Sequence, residues 1–133
     1  MTTPPLIVVV DDDPGMRWAV DALVRSLDYR TALFASAEEF LVSDARAECS
    51  CLISDVNMTG MTGIDLVSEL DCDKFGHRLP PVILISAFTT DQMADSAMAS
   101  GALALLKKPF DAERLILHIE TALSTRLVED QPV

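Results

Sequence analysis

Short apolar runs alternate along this chain with segments whose apolar residues recur every three or four positions. Leu6-Ile7-Val8-Val9-Val10 is a continuous β-branched run ended by aspartates, the pattern of a strand buried on both faces. Pro14 suits the first turn of a helix with Asp13 as N-cap, and Met16, Val20, Leu23, Val24 and Leu27 follow at helical spacing. Residues 30–35 predict a second strand, shorter and more exposed. Ser36, with Glu39 three residues on, forms a capping box for a helix that buries Phe40 and Leu41. Cys49 to Ser54 is the third strand and Asp55 its tip; a loop holding Gly60 and Gly63 follows. Gly63 opens a helix carrying Ile64, Leu66, Val67 and Leu70.

Residues 71–79 are polar, contain Gly76 and predict a loop. Pro80-Pro81 introduces a fourth strand, Val82 to Ile85, ended by Ser86. A helix over residues 91–100 has Gly101 as its stop signal, and residues 102–106 predict a short fifth strand before Lys107-Lys108-Pro109. Asp111 caps the last helix, with Leu115, Ile116, Ile119 and Leu123 on its core face. Residues 1–127 therefore read as one domain, and residues 128–133 as a polar tail expected to fray.

Five strands, each followed by a helix, predict a single α/β domain: one parallel sheet with helices on both faces. Right-handed crossovers bring all strand carboxyl ends to one edge, where α/β sheets bind ligands. At that edge the chain places Asp11 and Asp12 (first strand), Asp55 (third), Ser86 (fourth) and Lys108 (fifth). Taken alone, Asp55 would serve equally as a turn or cap residue. Three converging carboxylates, however, repel one another and need a cation to stay ionised together. An all-oxygen ligand set suits Mg2+, or alternatively Mn2+, better than zinc. A lysine and a hydroxyl opposite complete the parts of a phosphoryl-binding site.

Composition narrows the choices. The chain has 133 residues, half of them hydrophobic, enough for one real core. A net charge of −11 argues against direct gripping of nucleic acid. No apolar run reaches the ~20 residues of a membrane span. The N-terminus lacks the charged and apolar regions of a signal peptide, so a cytoplasmic location is expected. Cys49, Cys51 and Cys72 lack metal-site spacing and read as buried free thiols, with Cys49 and Cys51 expected on one strand face. His77 and His118 read as exposed histidines without a role; Trp18, Met93 and Met98 read as packing or surface residues.

Five stretches taken in order resemble the receiver domain of two-component response regulators, in particular its nitrogen-fixation (FixJ-like) branch. They are Val-Val-Asp-Asp-Asp-Pro-Gly at 9–15, Ser-Ala-Glu-Glu-Phe-Leu at 36–41, Ser-Asp-Val-Asn-Met-Thr-Gly-Met-Thr-Gly at 54–63, Ile-Ser-Ala-Phe at 85–88 and Lys-Lys-Pro-Phe at 107–110. The resemblance implies a flavodoxin-like sheet of order 2-1-3-4-5. It implies that Asp55 accepts a phosphoryl group from a phosphohistidine on a sensor histidine kinase. Asp12 would bind Mg2+ directly and Asp11 directly or through water, with an Asp55 oxygen and the Asn57 main-chain carbonyl completing the metal's protein ligands. Ser86 would hydrogen-bond a phosphoryl oxygen, Lys108 would ion-pair with it, and a cis bond would precede Pro109.

Such a domain is a switch and not an enzyme in the ordinary sense, catalysing only its own aspartyl phosphorylation and dephosphorylation. Its implied partners are the kinase and an unspecified downstream protein, with no membrane or direct nucleic-acid contact. It would be a monomer or a phosphorylation-promoted dimer, acting alone or as the receiver part of a transcriptional regulator. Two positions depart from the family pattern: Thr59 where many receivers have proline, and Leu105 where an aromatic is common. Met98, Leu105 and Leu117 are candidates for an outward docking patch. A fainter likeness links residues 55–59 to the aspartate-nucleophile motif of haloacid-dehalogenase-type phosphatases. Asn57 stands where that family has its acid/base aspartate, and the motif follows the third strand instead of the first. A phosphate-independent binding module is a third possibility, which loss of a key carboxylate or lysine would favour.

Overall fold

The computed structural model describes residues 3–71, 79–87 and 89–130, with the backbone alone for Asp71 and residues 125–130. In chain order the elements are β1 (Leu6–Val10), α1 (Pro14–Ser26), β2 (Arg30–Phe34), α2 (Ala37–Leu41), α3 (Ala45–Glu48), β3 (Cys49–Asp55), α4 (Gly63–Asp71), β4 (Val82–Ser86), α5 (Asp91–Ala99), β5 (Ala104–Lys107) and α6 (Ala112–Asp130). All neighbouring strands are parallel, in the order β2-β1-β3-β4-β5 that the family resemblance implies.

Strand periodicity divides the apolar residues between two cores. Ile7 and Val9 of β1 pack with Val20 and Val24 of α1 and with Leu115 and Ile119 of α6. Val8 and Val10 point the other way, onto Phe40 of α2, Leu66 and Val67 of α4 and Ala97 of α5. Each fully buried aliphatic side chain contributes roughly 1.5–3 kcal/mol. A central strand feeding both cores therefore fixes the height of its own tip, where the aspartates begin.

Local signals in the sequence do what their chemistry requires, with one variation. The Asp13 carboxylate accepts the Gly15 N–H at 3.0 Å, and Ser36 Oγ accepts the Glu39 N–H at 3.1 Å. The return bond from Glu39 goes to the Ala35 N–H (3.2 Å), one residue earlier than in the usual capping box. A reciprocal pair not anticipated from sequence starts α4. The Asp65 N–H donates to Thr62 Oγ1 at 3.1 Å and the Thr62 N–H to Asp65 Oδ2 at 3.2 Å.

Several expectations change. The short helix α3 is additional, and α6 continues to Asp130, into the segment expected to fray. Cys49 and Cys51 do not share a face: Leu6 pairs with Cys49 but Ile7 with Cys51, so a bulge at Ser50 inverts the alternation. Cys49 joins the core on the α2/α4/α5 side and Cys51 the core on the α1/α6 side. Both thiols are buried, and burial first, then the neighbouring Cys49, pushes the Cys51 thiol far above its ordinary range. Leu105 is half-buried against the α2/α4/α5-side core instead of facing outward, while Met98 and Leu117 are exposed. His118 and Met93 are half-buried and Trp18 is exposed. The predictions for Cys72, Gly76, His77, Phe88 and residues 131–133 fall outside the described residues.

Gly63 shows how tightly α4 seats under the strand tip. Its N–H donates to the Val56 carbonyl at 3.0 Å, and a Cβ at this position would collide with the main-chain carbonyl oxygen of Asp55. Gly63→Ala should therefore destabilise the fold by about 1–3 kcal/mol, the usual range for overpacking. A urea midpoint equal to that of the wild type would show that α4 has room to retreat.

Candidate functional site

The sheet order brings the predicted residues together. Asp11 follows β1, Asp55 ends β3, Ser86 ends β4 and Lys108 follows β5. Asp11, Asp55 and Ser86 are buried, Lys108 is half-buried, and Asp12 and Asn57 are exposed. Carboxylate oxygens of Asp11, Asp12 and Asp55 all lie within 4.8 Å of one another. Lys108 Nζ reaches Asp11 Oδ2 at 3.2 Å and Asp55 Oδ1 at 3.4 Å. One lysine thus bridges two of the three carboxylates.

Each group is held from behind. The Asp11 N–H donates to the Phe34 carbonyl at 3.1 Å, which ties the β1 tip to β2. Its Oδ1 accepts the Asp13 N–H at 2.9 Å, and its main-chain carbonyl accepts Arg17 Nη1 at 2.7 Å. Ser54 Oγ donates to the Asp55 carbonyl at 3.0 Å, and the Val56 N–H continues the ladder to Ile85 at 2.9 Å. The Lys108 N–H donates to the Ser86 carbonyl at 2.7 Å, and the Lys108–Pro109 bond is cis.

Electrostatics distinguishes Asp55 from Lys108. Burial, and next the charge on Asp11, push the Asp55 carboxyl above its ordinary 3.8; Lys108 and a backbone hydrogen bond from Asn57 oppose them. Burial also disfavours the Lys108 ammonium, but Asp11 and Asp55 together outweigh it and hold its pKa above the ordinary 10.5. The lysine is therefore a fixed positive charge at neutral pH. A divalent cation fits the donor set. The ligands are all oxygen, the cluster carries more negative charge than Lys108 can neutralise, and exposed Asp12 gives a hydrated ion a way in.

Three contacts were not anticipated from sequence. The Asn57 side chain donates from Nδ2 to Ser86 Oγ at 3.1 Å, although sequence reasoning gave a role only to its main-chain carbonyl. Arg17 holds the Asp11 carbonyl; a basic residue one helical turn after the aspartates was the available signal. Glu38 of α2 accepts the Met61 N–H at 3.4 Å, and Gly60, at φ +83°, passes so close that a Cβ would lie 2.6 Å from its carboxylate. That last contact spans distant segments and leaves no local trace.

The architecture is that of a signalling receiver module. The chain belongs to the response regulator receiver domain family, whose model matches residues 7–120. It is 39% identical over 118 residues to the response regulator protein TmoT of Ectopseudomonas mendocina, covering 89% of this chain and 52% of that protein. It is 33% identical over 123 residues to the transcriptional regulatory protein FixJ of Bradyrhizobium diazoefficiens, covering 92% of this chain and 58% of that one. The FixJ likeness is therefore real but not unique. The structure of the Vibrio cholerae chemotaxis protein CheY4 superposes with a TM-score of 0.82 at 26% identity, covering 91% of this chain and all of that one. This chain spans little more than half the length of TmoT and FixJ.

The raised Asp55 pKa has a stability consequence. Below pH 3.8 the carboxyl is protonated in both folded and unfolded states and contributes nothing. As pH rises through the folded-state value the unfolded chain ionises first, so the metal-free native state loses stability. Asp55→Asn removes that penalty. In chelator, its melting temperature should match the wild type at acid pH and exceed it at neutral pH. An equal or lower neutral value would mean that Lys108 already offsets the repulsion. Saturating Mg2+ should reverse the order, because the wild type binds it more tightly.

Proposed function

We propose that Asp55 is the phospho-acceptor of this receiver, taking a phosphoryl group from a histidine kinase. The observation that carries the reading is the Asp55 carboxylate at the β3 tip, 3.4 Å from the Lys108 ammonium and beside Asp11 and Asp12. A carboxylate oxygen of Asp55 attacks phosphorus in line with the P–N bond of a phosphohistidine. That bond breaks as the imidazole departs, and an acyl phosphate forms. Lys108 supplies fixed positive charge to the phosphoryl oxygens, and the buried Ser86 hydroxyl supplies a hydrogen bond. Asp11, Asp12, Asp55 and the Asn57 main-chain carbonyl would hold Mg2+, which when bound neutralises charge on the transferring group. The dehalogenase-type reading loses ground, because position 57 carries an amide engaged with Ser86 in place of an acid/base carboxylate.

The signal leaves through the residues that must satisfy the new oxygens. Ser86 ends β4, and residues 87–90 join it to α5, a short covalent route to the α5 and β5 surface. The unit is read as residues 1–127, with α6 carrying the chain on to Asp130 as the path to any further domain. Because TmoT and FixJ are longer, an output domain following this one is the favoured arrangement over a stand-alone receiver. Among the described residues no helix is long and apolar enough to cross a membrane, which fits a chain that meets its kinase in the cytoplasm.

Acetyl phosphate with Mg2+ should add one phosphoryl group to the wild type and none to Asp55→Asn, read by intact mass. Asp12→Ala should keep its fold but weaken Mg2+ at least about tenfold and slow phosphorylation correspondingly. Modification of Asp55→Asn would move the acceptor elsewhere. A metal-free melting temperature that drops sharply in Asp12→Ala would make that residue structural.

A further inference from the structure

Ser86 is engaged at both its backbone and its side chain. Its main-chain carbonyl accepts the Lys108 N–H at 2.7 Å, and its hydroxyl oxygen accepts from Asn57 Nδ2 at 3.1 Å. Ser86 is fully buried, whereas Asn57 sits in the exposed loop two residues beyond Asp55. A serine hydroxyl carries one proton and two lone pairs. With an amide N–H on one lone pair, the hydroxyl proton is turned away from Asn57. Between Asn57 and Asp55 lies only Val56, whose N–H is fixed on the Ile85 carbonyl at 2.9 Å. The same ladder bond thus sets the height of the acceptor and of the amide that reaches across to β4.

The geometry points to Asn57 as a positioning residue for phosphoryl transfer, its side-chain amide holding the Ser86 hydroxyl in the orientation that presents O–H to a phosphoryl oxygen on Asp55. This deepens, and rests on, the reading of Asp55 as acceptor. The main-chain carbonyl of residue 57 is present whatever the side chain, so substitution here separates metal binding from positioning. A carboxamide is also the right neutral donor. A carboxylate at 57 would draw the Ser86 proton toward itself and add negative charge to a site already overloaded with it.

The test is a double-mutant cycle with acetyl phosphate and Mg2+, comparing Asn57→Ala, Ser86→Ala and the double variant by initial rate of aspartyl phosphate formation. Asn57→Ala should slow the reaction about fivefold, the worth of one neutral hydrogen bond. The double variant should be no slower than Ser86→Ala alone, because Asn57 acts through that hydroxyl. Mg2+ affinity should be unchanged in Asn57→Ala. Equal slowing in both backgrounds, a wild-type rate in Asn57→Ala, or a loss of Mg2+ affinity that explains the slowing would each overturn the assignment. Independently, the side-chain NH2 resonances of Asn57 in the unphosphorylated protein should shift on Ser86→Ala; unmoved resonances would rule out the bridge. Failure of the acceptor reading looks different. The wild type would take no phosphoryl group, or Asp55→Asn would still take one, and both proposals would fall even if the resonances moved.

Discussion

Repulsion among three carboxylates, only partly offset by one lysine, is the constraint on which the rest of this structure depends. Like charges within 4.8 Å of one another, two of them buried, oppose folding in the absence of a cation. The chain tolerates this because each carboxylate sits on or just beyond a strand anchored on both faces. The same arrangement makes the site useful. A cluster that is uncomfortable without added positive charge is one that could hold a cation. Lys108 is placed to share itself between Asp11 and Asp55, so any change of charge at one carboxylate alters its hold on the other.

Sheet order converts this local chemistry into a coupled system. β3 lies between β1 and β4, so Asp55 has Asp11 on one side and Ser86 on the other. β5 at the edge brings Lys108 back toward the centre, where its N–H bonds to the Ser86 carbonyl. Backbone ladders link the tips laterally, while Gly63 lets α4 close directly beneath Asp55.

The strands and most helices were legible because each carries a local signature: β-branched runs for β1 and β4, Asp13 and Ser36 as caps. The assembly of Asp11, Asp12, Asp55, Ser86 and Lys108 at one edge followed from the β–α alternation alone. The order of the strands did not, since periodicity says which faces are buried but not which strand lies beside which. What escaped reading depends on geometry that sequence spacing does not encode. The bulge at Ser50 reverses the faces of Cys49 and Cys51, because one unpaired residue inverts a period of two. The Asn57–Ser86 and Glu38–Met61 bonds join residues brought near only by the completed sheet.

Leu105 bears most directly on how this receiver differs from an aromatic-bearing relative. The residue pairs across the ladder with Leu84 and rests half-buried against the α2/α4/α5-side core, in the same cluster as Met93 and Ala97 of α5. An aromatic side chain at that place would have two well-separated positions, inside and outside. A leucine already in contact with the core has little distance to travel. Met93, a flexible side chain in that cluster, is suited to small packing adjustments around Leu105. Under the proposed phosphorylation of Asp55, the change at position 105 is therefore a small aliphatic repacking against α5 and not the flip of a ring.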